Sequence, residues 1–140
     1  MAKRTKSSLR AYVKRRAKSC CEYCKAPQSH SPDPFSLEHI IPRTKGGEDK
    51  LSNLAFSCQG CNNHKHIHTE APDPLTGKKV PLFHPRKDKW EQHFKWSKAF
   101  SHIVGTTSTG RATVRRLELN RKGLLNLRKA LFLSGQHPPV

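Results

Sequence analysis

The sequence predicts an α+β fold of short elements tied together by a metal, and two observations carry that prediction. Cys21 and Cys24 form one C-x2-C pair and Cys58 and Cys61 a second, with 33 residues between the pairs. Each pair can offer two thiolates from one tight turn, and two such turns supply the four soft ligands of a tetrahedral zinc. Disulfides or thiol redox chemistry are the alternative for the same spacing. The second observation is that short extended runs and amphipathic helical runs alternate along the chain, punctuated by Gly and Pro. A hydrophobic content of 34% is lean beside the usual figure of about 45–50%, which also counts glycine. A bound zinc, contributing on the order of 10 kcal/mol, would compensate for so small a core. Cys20 is the odd thiol: Cys21 matches the spacing of the other pair, so Cys20 reads as free.

Taken in order, residues 1–19 carry eight basic residues and no acid. Leu9, Tyr12, Val13 and Ala17 recur there at helical spacing, which predicts a short helix with a basic outer face. Residues 35–41 and the run "LAFSC" read as strands separated by the glycine-closed loop "RTKGGEDKLSN". "QGCNNHKHIHT" reads as a short helix that packs through the metal knot. Beyond it come a hairpin about Thr76-Gly77, an aromatic-rich stretch from His84 to Trp96, a strand at "AFSHIVG" and a helix at "TGRATVRRLEL". Asn120 is positioned to cap a last helix whose Leu124, Leu127 and Leu131 share a face, and the tail "SGQHPPV" is expected to fray. The domain reading is a basic arm over 1–19, a core over 20–69 and an extension over 70–140 packed on that core, one domain in all.

Charge narrows the partners. Twenty-seven Lys and Arg against ten acids give a formal charge of +17, which favours a polyanion through counterion release and steering. Nucleic acid, DNA or RNA, is the first expectation and a membrane surface the second. No apolar run approaches the roughly 18 residues of a spanning helix, and the N-terminus lacks the apolar region of a secretory signal. The chain is expected to be soluble, cytoplasmic and not bound to membrane.

Within "FSLEHIIPRTKGG", Glu38 and His39 place an acid beside an imidazole in an apolar run. Closing the cysteine knot folds this strand back toward the helix opened by Cys61 and brings Asn62 near it. A carboxylate from Glu38 and an amide oxygen from Asn62 suit a divalent cation such as Mg2+ or Mn2+. His39 supplies a base whose unperturbed pKa of about 6.5 allows it to take a proton from water near neutral pH. Adjacent strand residues point to opposite faces, so the strand must bend or end near His39 for both groups to serve one phosphate.

These residues resemble the HNH, or ββα-metal, endonucleases, in particular small stand-alone bacterial and phage-type members. The resemblance runs through "CEYC", "LEHIIPRTKGG" and "LSNLAFSCQGCNNHK" and, more loosely, "GKKVPLFHPRKDKWEQHF" and "IVGTTSTGRATVRRLELN". It implies a ββα-metal core knotted by a four-cysteine structural zinc (Cys21, Cys24, Cys58, Cys61), with an N-terminal basic helix and a C-terminal strand and helix extension. It also implies His39 as general base, Asn53 as the amide that orients it, and Glu38 and Asn62 as ligands of a catalytic Mg2+ or Mn2+, with Ni2+ as another candidate. Glu38 stands where the family usually has Asp. His66, one turn after Asn62, is a further ligand candidate.

Arg15, Arg16, Arg43, Lys45, Arg111 and Arg115 are the candidate nucleic-acid contacts. Trp90, Phe94 and Trp96 read as packing residues rather than base-stacking ones. The expected activity is metal-dependent hydrolysis of DNA phosphodiester bonds, by nicking or double-strand cleavage. The rival class is a zinc-containing nucleic-acid-binding module without cleavage, and a third is a subunit that acts within a larger assembly. The joint presence of Glu38, His39, Asn53 and Asn62 separates the first from the second, since a binder needs none of them.

Overall fold

The computed structural model describes residues 6–139; residues 1–5 of the basic arm lie outside them. Helix α1 spans Lys6–Arg16 and buries Val13. Its basic last turn suits the negative end of the helix dipole. Two of its arginines are structural. Arg10 Nη1 donates to Phe35 O (2.6 Å), and Arg16 donates to Leu51 O (3.0 Å) and Leu54 O (2.6 Å), so Arg16 moors the helix instead of facing a partner, which corrects its place among the candidate contacts.

After the Cys21–Cys24 turn, β1 (Ser36–His39) pairs antiparallel with β2 (Leu54–Ser57). The register sets Glu38 opposite Ala55 and His39 opposite Leu54. All four residues of β2 are buried. As expected, β1 stops at His39, two residues short of the predicted run; Pro42, which cannot donate to a ladder, follows closely. Helix α2 (Gln59–Lys65) opens on Cys58, whose sulfur caps it by accepting from Cys61 N. It ends at Lys65 because His66 leaves helical geometry with φ 52°, shorter than the predicted helix.

The extension begins with the expected hairpin, β3 (Glu70–Pro72) and β4 (Lys79–Pro81), which turns at Gly77 with φ 74°. The aromatic-rich stretch forms a single helical turn, α3 (Trp90–His93), and then β5 (Phe94–Trp96), which pairs with β6 (Ile103–Gly105). Helices α4 (Ser108–Arg116) and α5 (Lys122–Leu133) follow. Asn120 does not cap α5: its side chain bonds Ile103 N (2.8 Å) and Ile103 O (2.9 Å), tying β6 to the chain before α5. Nor is the tail loose throughout, because His137 is buried against Trp96, ring centroids 4.5 Å apart.

One hydrophobic cluster runs from Val13 of α1 through Tyr23, Phe35 and Phe56 to Phe83, Phe94, Leu117 and Leu124. The extension therefore shares a core with the segment before it. Trp90 and Phe94 are buried in that cluster; the Trp90 indole N–H donates to Tyr23 O at 3.0 Å, which joins α3 to the first cysteine turn. Among the described residues, no helix is long and apolar enough to cross a membrane.

Candidate functional site

The four cysteines converge. The sulfurs of Cys21, Cys24, Cys58 and Cys61 all lie within 4.8 Å of one another and all four residues are buried. Each pair has the local geometry of a metal-binding knuckle: Cys24 N points at Cys21 Sγ (3.5 Å) and Cys61 N at Cys58 Sγ (3.4 Å). None of the four is in a disulfide, and neither is Cys20. Four sulfurs at this spacing fit a metal such as zinc. Glu22, between the first two cysteines, exchanges bonds with Phe56, its backbone N–H donating to Phe56 O (2.9 Å) and its Oε2 accepting from Phe56 N (2.8 Å). The first knuckle is thereby fastened to β2, and Arg86 of the extension pairs with the other oxygen of Glu22.

His39 sits at the open end of β1 with its side chain 24% exposed. Its Nε2 is 2.6 Å from Asp49 Oδ1. Arg43 closes on the same carboxylate, with Nε 3.1 Å from Oδ1 and Nη2 2.9 and 3.0 Å from the two oxygens. Arg43 Nε is also 3.4 Å from His39 Nε2, but the shorter contact to the carboxylate takes that proton. The His39 hydrogen bond, reinforced by Arg43, holds Asp49 below its ordinary pKa. An ionised carboxylate only accepts, so Nε2 carries a proton, and in the neutral imidazole the lone pair is then on Nδ1.

Asn53 has a different task from the one expected. Its Oδ1 accepts from Ile41 N (2.9 Å), and its Nδ2 donates to Ile41 O (3.0 Å) and Glu48 O (2.9 Å). The amide clamps both ends of the loop that carries Arg43 and Asp49, and Asp49 touches the imidazole. Asp49 was missed in the sequence because an acid in a polar loop has no distinguishing spacing.

The expectation that Glu38 and Asn62 share one cation is not met by this geometry. Strand alternation sends Glu38 inward, away from His39. Its Oε1 is 2.6 Å from Lys65 Nζ and its Oε2 accepts from Tyr23 OH at 2.6 Å. Burial raises the Glu38 pKa, and Lys65 and Tyr23 oppose that shift. Lys65 also donates to Ile40 O (2.8 Å), so α2 meets β1 through its lysine, three residues beyond Asn62. Asn62 is half-buried and makes no side-chain hydrogen bond among the described residues. His66 lies past the end of α2, outside helical geometry, and is exposed.

The remaining basic candidates divide. Arg111 is committed to Asp73 by a two-pronged pair (2.9 and 2.8 Å), which removes it as a free contact, whereas Arg15, Lys45 and Arg115 are exposed. Arg116, also exposed, donates to His64 O (3.2 Å).

Comparison with known proteins bears on residues 21–67, which match the family model described as HNH endonuclease. No curated protein and no solved structure matches the chain. The matched segment begins at the first cysteine of the cluster and ends two residues after Lys65, so it encloses the four cysteines, β1, β2, the His39 loop and α2. The segment that is similar to the HNH endonuclease family, residues 21–67, is thus the one held together by four cysteines that can form a metal site.

Proposed function

We propose that this protein is an endonuclease that hydrolyses phosphodiester bonds in nucleic acid, DNA in the first instance, with His39 as general base. The observation that carries the reading is the His39–Asp49–Arg43 cluster: a partly exposed imidazole whose outer nitrogen is bound by an ionised carboxylate, on a loop clamped by Asn53. Nδ1 of the neutral ring takes a proton from water, the water oxygen attacks phosphorus opposite the leaving oxygen, and the P–O bond to that oxygen breaks, the oxygen keeping the electron pair and taking a proton from solvent. Exposed Arg15, Lys45 and Arg115 supply a basic surface for the strand.

HNH nucleases use divalent cations, and Mg2+, Mn2+ or Ni2+ belongs to the reading for that reason. Both oxygens of Glu38 are engaged by Lys65 and Tyr23, so the ligand pair Glu38 and Asn62 does not fit a cation as it stands. The same observation favours a second reading, a zinc-containing module that binds nucleic acid without cutting it, since a neutralised Glu38 serves a fold as well as a reaction.

Plasmid nicking under titration of Mg2+, Mn2+ and Ni2+ separates the two readings. Ion-dependent cleavage by the parent that disappears in His39→Ala with the fold unchanged supports the nuclease. Cleavage that survives His39→Ala removes His39 as the base. DNA binding without nicking in any of the ions leaves the binding module.

A further inference from the structure

Arg121 lies well outside the matched domain, in the turn that leads into α5, yet its guanidinium reaches the cysteine clasp. Nη2 is 3.5 Å from Cys58 Sγ and 3.7 Å from Cys61 Sγ, and Nη1 is 3.6 Å from Cys61 Sγ. Nη1 also donates to Leu117 O (3.2 Å) and Glu118 O (3.3 Å), which anchors the fork from its own side. Gly60, between the two sulfurs it approaches, makes the room: a Cβ there would collide with Nη2 and Cζ of Arg121. Gly60 has no left-handed φ among the positive-φ glycines, so the missing side chain, not backbone freedom, is what the position requires.

The electrostatics give this contact a purpose. Four thiolates around a divalent ion leave a net negative charge in a buried place, and an uncompensated buried charge is costly. The turns supply N–H donors to Cys21 and Cys58, and a guanidinium adds both charge and donors to Cys58 and Cys61. Donors to coordinating groups fix their orientation and tune how firmly they hold the metal. We propose that Arg121 is the outer partner of the clasp, and that through it metal retention and docking of the C-terminal segment are thermodynamically linked. This inference needs the cysteines to hold a metal and does not depend on catalysis.

The full-length protein is loaded with zinc, and transfer of zinc to a chromophoric chelator is timed for the parent, Arg121→Gln, Arg121→Lys and Gly60→Ala. Gly60→Ala keeps Arg121 in the chain, suits a helix, and meets only the movable end of the guanidinium, so it displaces the contact without deleting the residue. Arg121→Gln and Gly60→Ala are expected to release zinc about 10- to 100-fold faster, with Arg121→Lys between them and the parent. Proteolysis within α5 supplies a readout of linkage: zinc protects that helix in the parent and loses its hold in Arg121→Gln. If Arg121→Gln does not fold, Gly60→Ala carries the test alone. Unchanged release in folded Gly60→Ala, or α5 protection indifferent to zinc in the parent, overturns the proposal. A parent that takes up no zinc overturns the clasp itself, a different failure.

Discussion

Lys65 Nζ lies 2.6 Å from Glu38 Oε1, with the two side chains 2% and 3% exposed. Removing one member of a buried pair strands the other, at about 3–5 kcal/mol, whereas replacing both together is far milder. Lys65→Met alone is therefore expected to destabilise the fold by about that amount, and Glu38→Gln with Lys65→Met by much less than the sum of the singles. Urea unfolding of the four proteins in the cycle measures this. The sign of the pH dependence is also determined. Stranding Glu38 raises its folded pKa further, and a raised acid stabilises below its unfolded value and loses that contribution as pH rises through the folded one. The deficit of Lys65→Met thus narrows as pH falls toward the ordinary 4.5 of Glu38. A deficit that is flat with pH would mean that Glu38 finds another partner.

The loop that carries Arg43 and Asp49 depends on Gly47. A Cβ at Gly47 would run into Ile41 O and come within 2.9 Å of Asn53 Nδ2, and the carbonyl it meets is backbone that cannot swing aside. Gly47→Ala is expected to cost about 1–3 kcal/mol through forced displacement, and Asn53→Ala a similar amount through loss of the bonds to Ile41 and Glu48. Both should broaden the amide signals of residues 41–50 while those of the cysteine turns stay in place. Chemical shift mapping checks the pattern.

How far the sequence carried these conclusions depended on the range of the interaction. The clasp was legible because each knuckle is local and the ligand chemistry is specific to cysteine. The hairpin at Gly77 was legible because the turn is contained in a few residues. Glu38 was located correctly at the end of a strand, yet its partner is Lys65, and only the register of β1 on β2 decides that the carboxylate turns inward to meet it. Asn53 was singled out as a residue and misread in its contact, since a clamp on Ile41 and Glu48 leaves no mark in spacing. Asn120 looked like a cap by position, and β6 claimed its amide instead. Arg111 and Arg121 were indistinguishable from surface charge until Asp73 and the cysteine sulfurs were seen opposite them.

Arg111 and Asp73 pin the β3–β4 hairpin to α4. The Asp73 carboxylate, fully buried by its neighbours, also accepts from Leu75 N (3.0 Å) and Thr76 Oγ1 (3.1 Å). Arg111 first, and then the Leu75 and Thr76 donors, hold it well below its ordinary 3.8. An acid with a depressed folded pKa stabilises above its unfolded value and loses that contribution as pH falls through the folded one. Stability should therefore decline below about pH 4, and Asp73→Asn should lower stability near neutrality while flattening this acid limb. Thermal unfolding of both proteins between about pH 2 and pH 7 makes the comparison, and parallel curves would show that Asp73 contributes no proton linkage.

Asp49 and His39 offer the sharpest test of the site, because Asp49 lies at the surface and His39, partly exposed at the open end of β1, is outside the hydrophobic cluster. The side chain of Asp49 is 61% exposed, so Asp49→Asn should leave the unfolding curve in place. Its effect falls on the imidazole. Asparagine can present either an oxygen or an amide N–H to Nε2, so the preference for a proton on Nε2 is lost and Nδ1 no longer reliably holds the lone pair. Ring nitrogen shifts of His39 in the intact protein should report Nε2 protonation in the parent and a mixture of tautomers in the variant, a readout independent of cleavage. If the nuclease reading holds, His39→Ala removes a general base worth about 10²–10⁴ in rate. Asp49→Asn then lowers kcat by a smaller factor with KM little changed, because the strand is held by other residues. Glu48→Gln, in the same loop but without contact to the imidazole, should alter neither the tautomer nor kcat. A His39 ring that keeps its Nε2 proton in Asp49→Asn would show that the carboxylate does not set the tautomer, whatever the cleavage rate does.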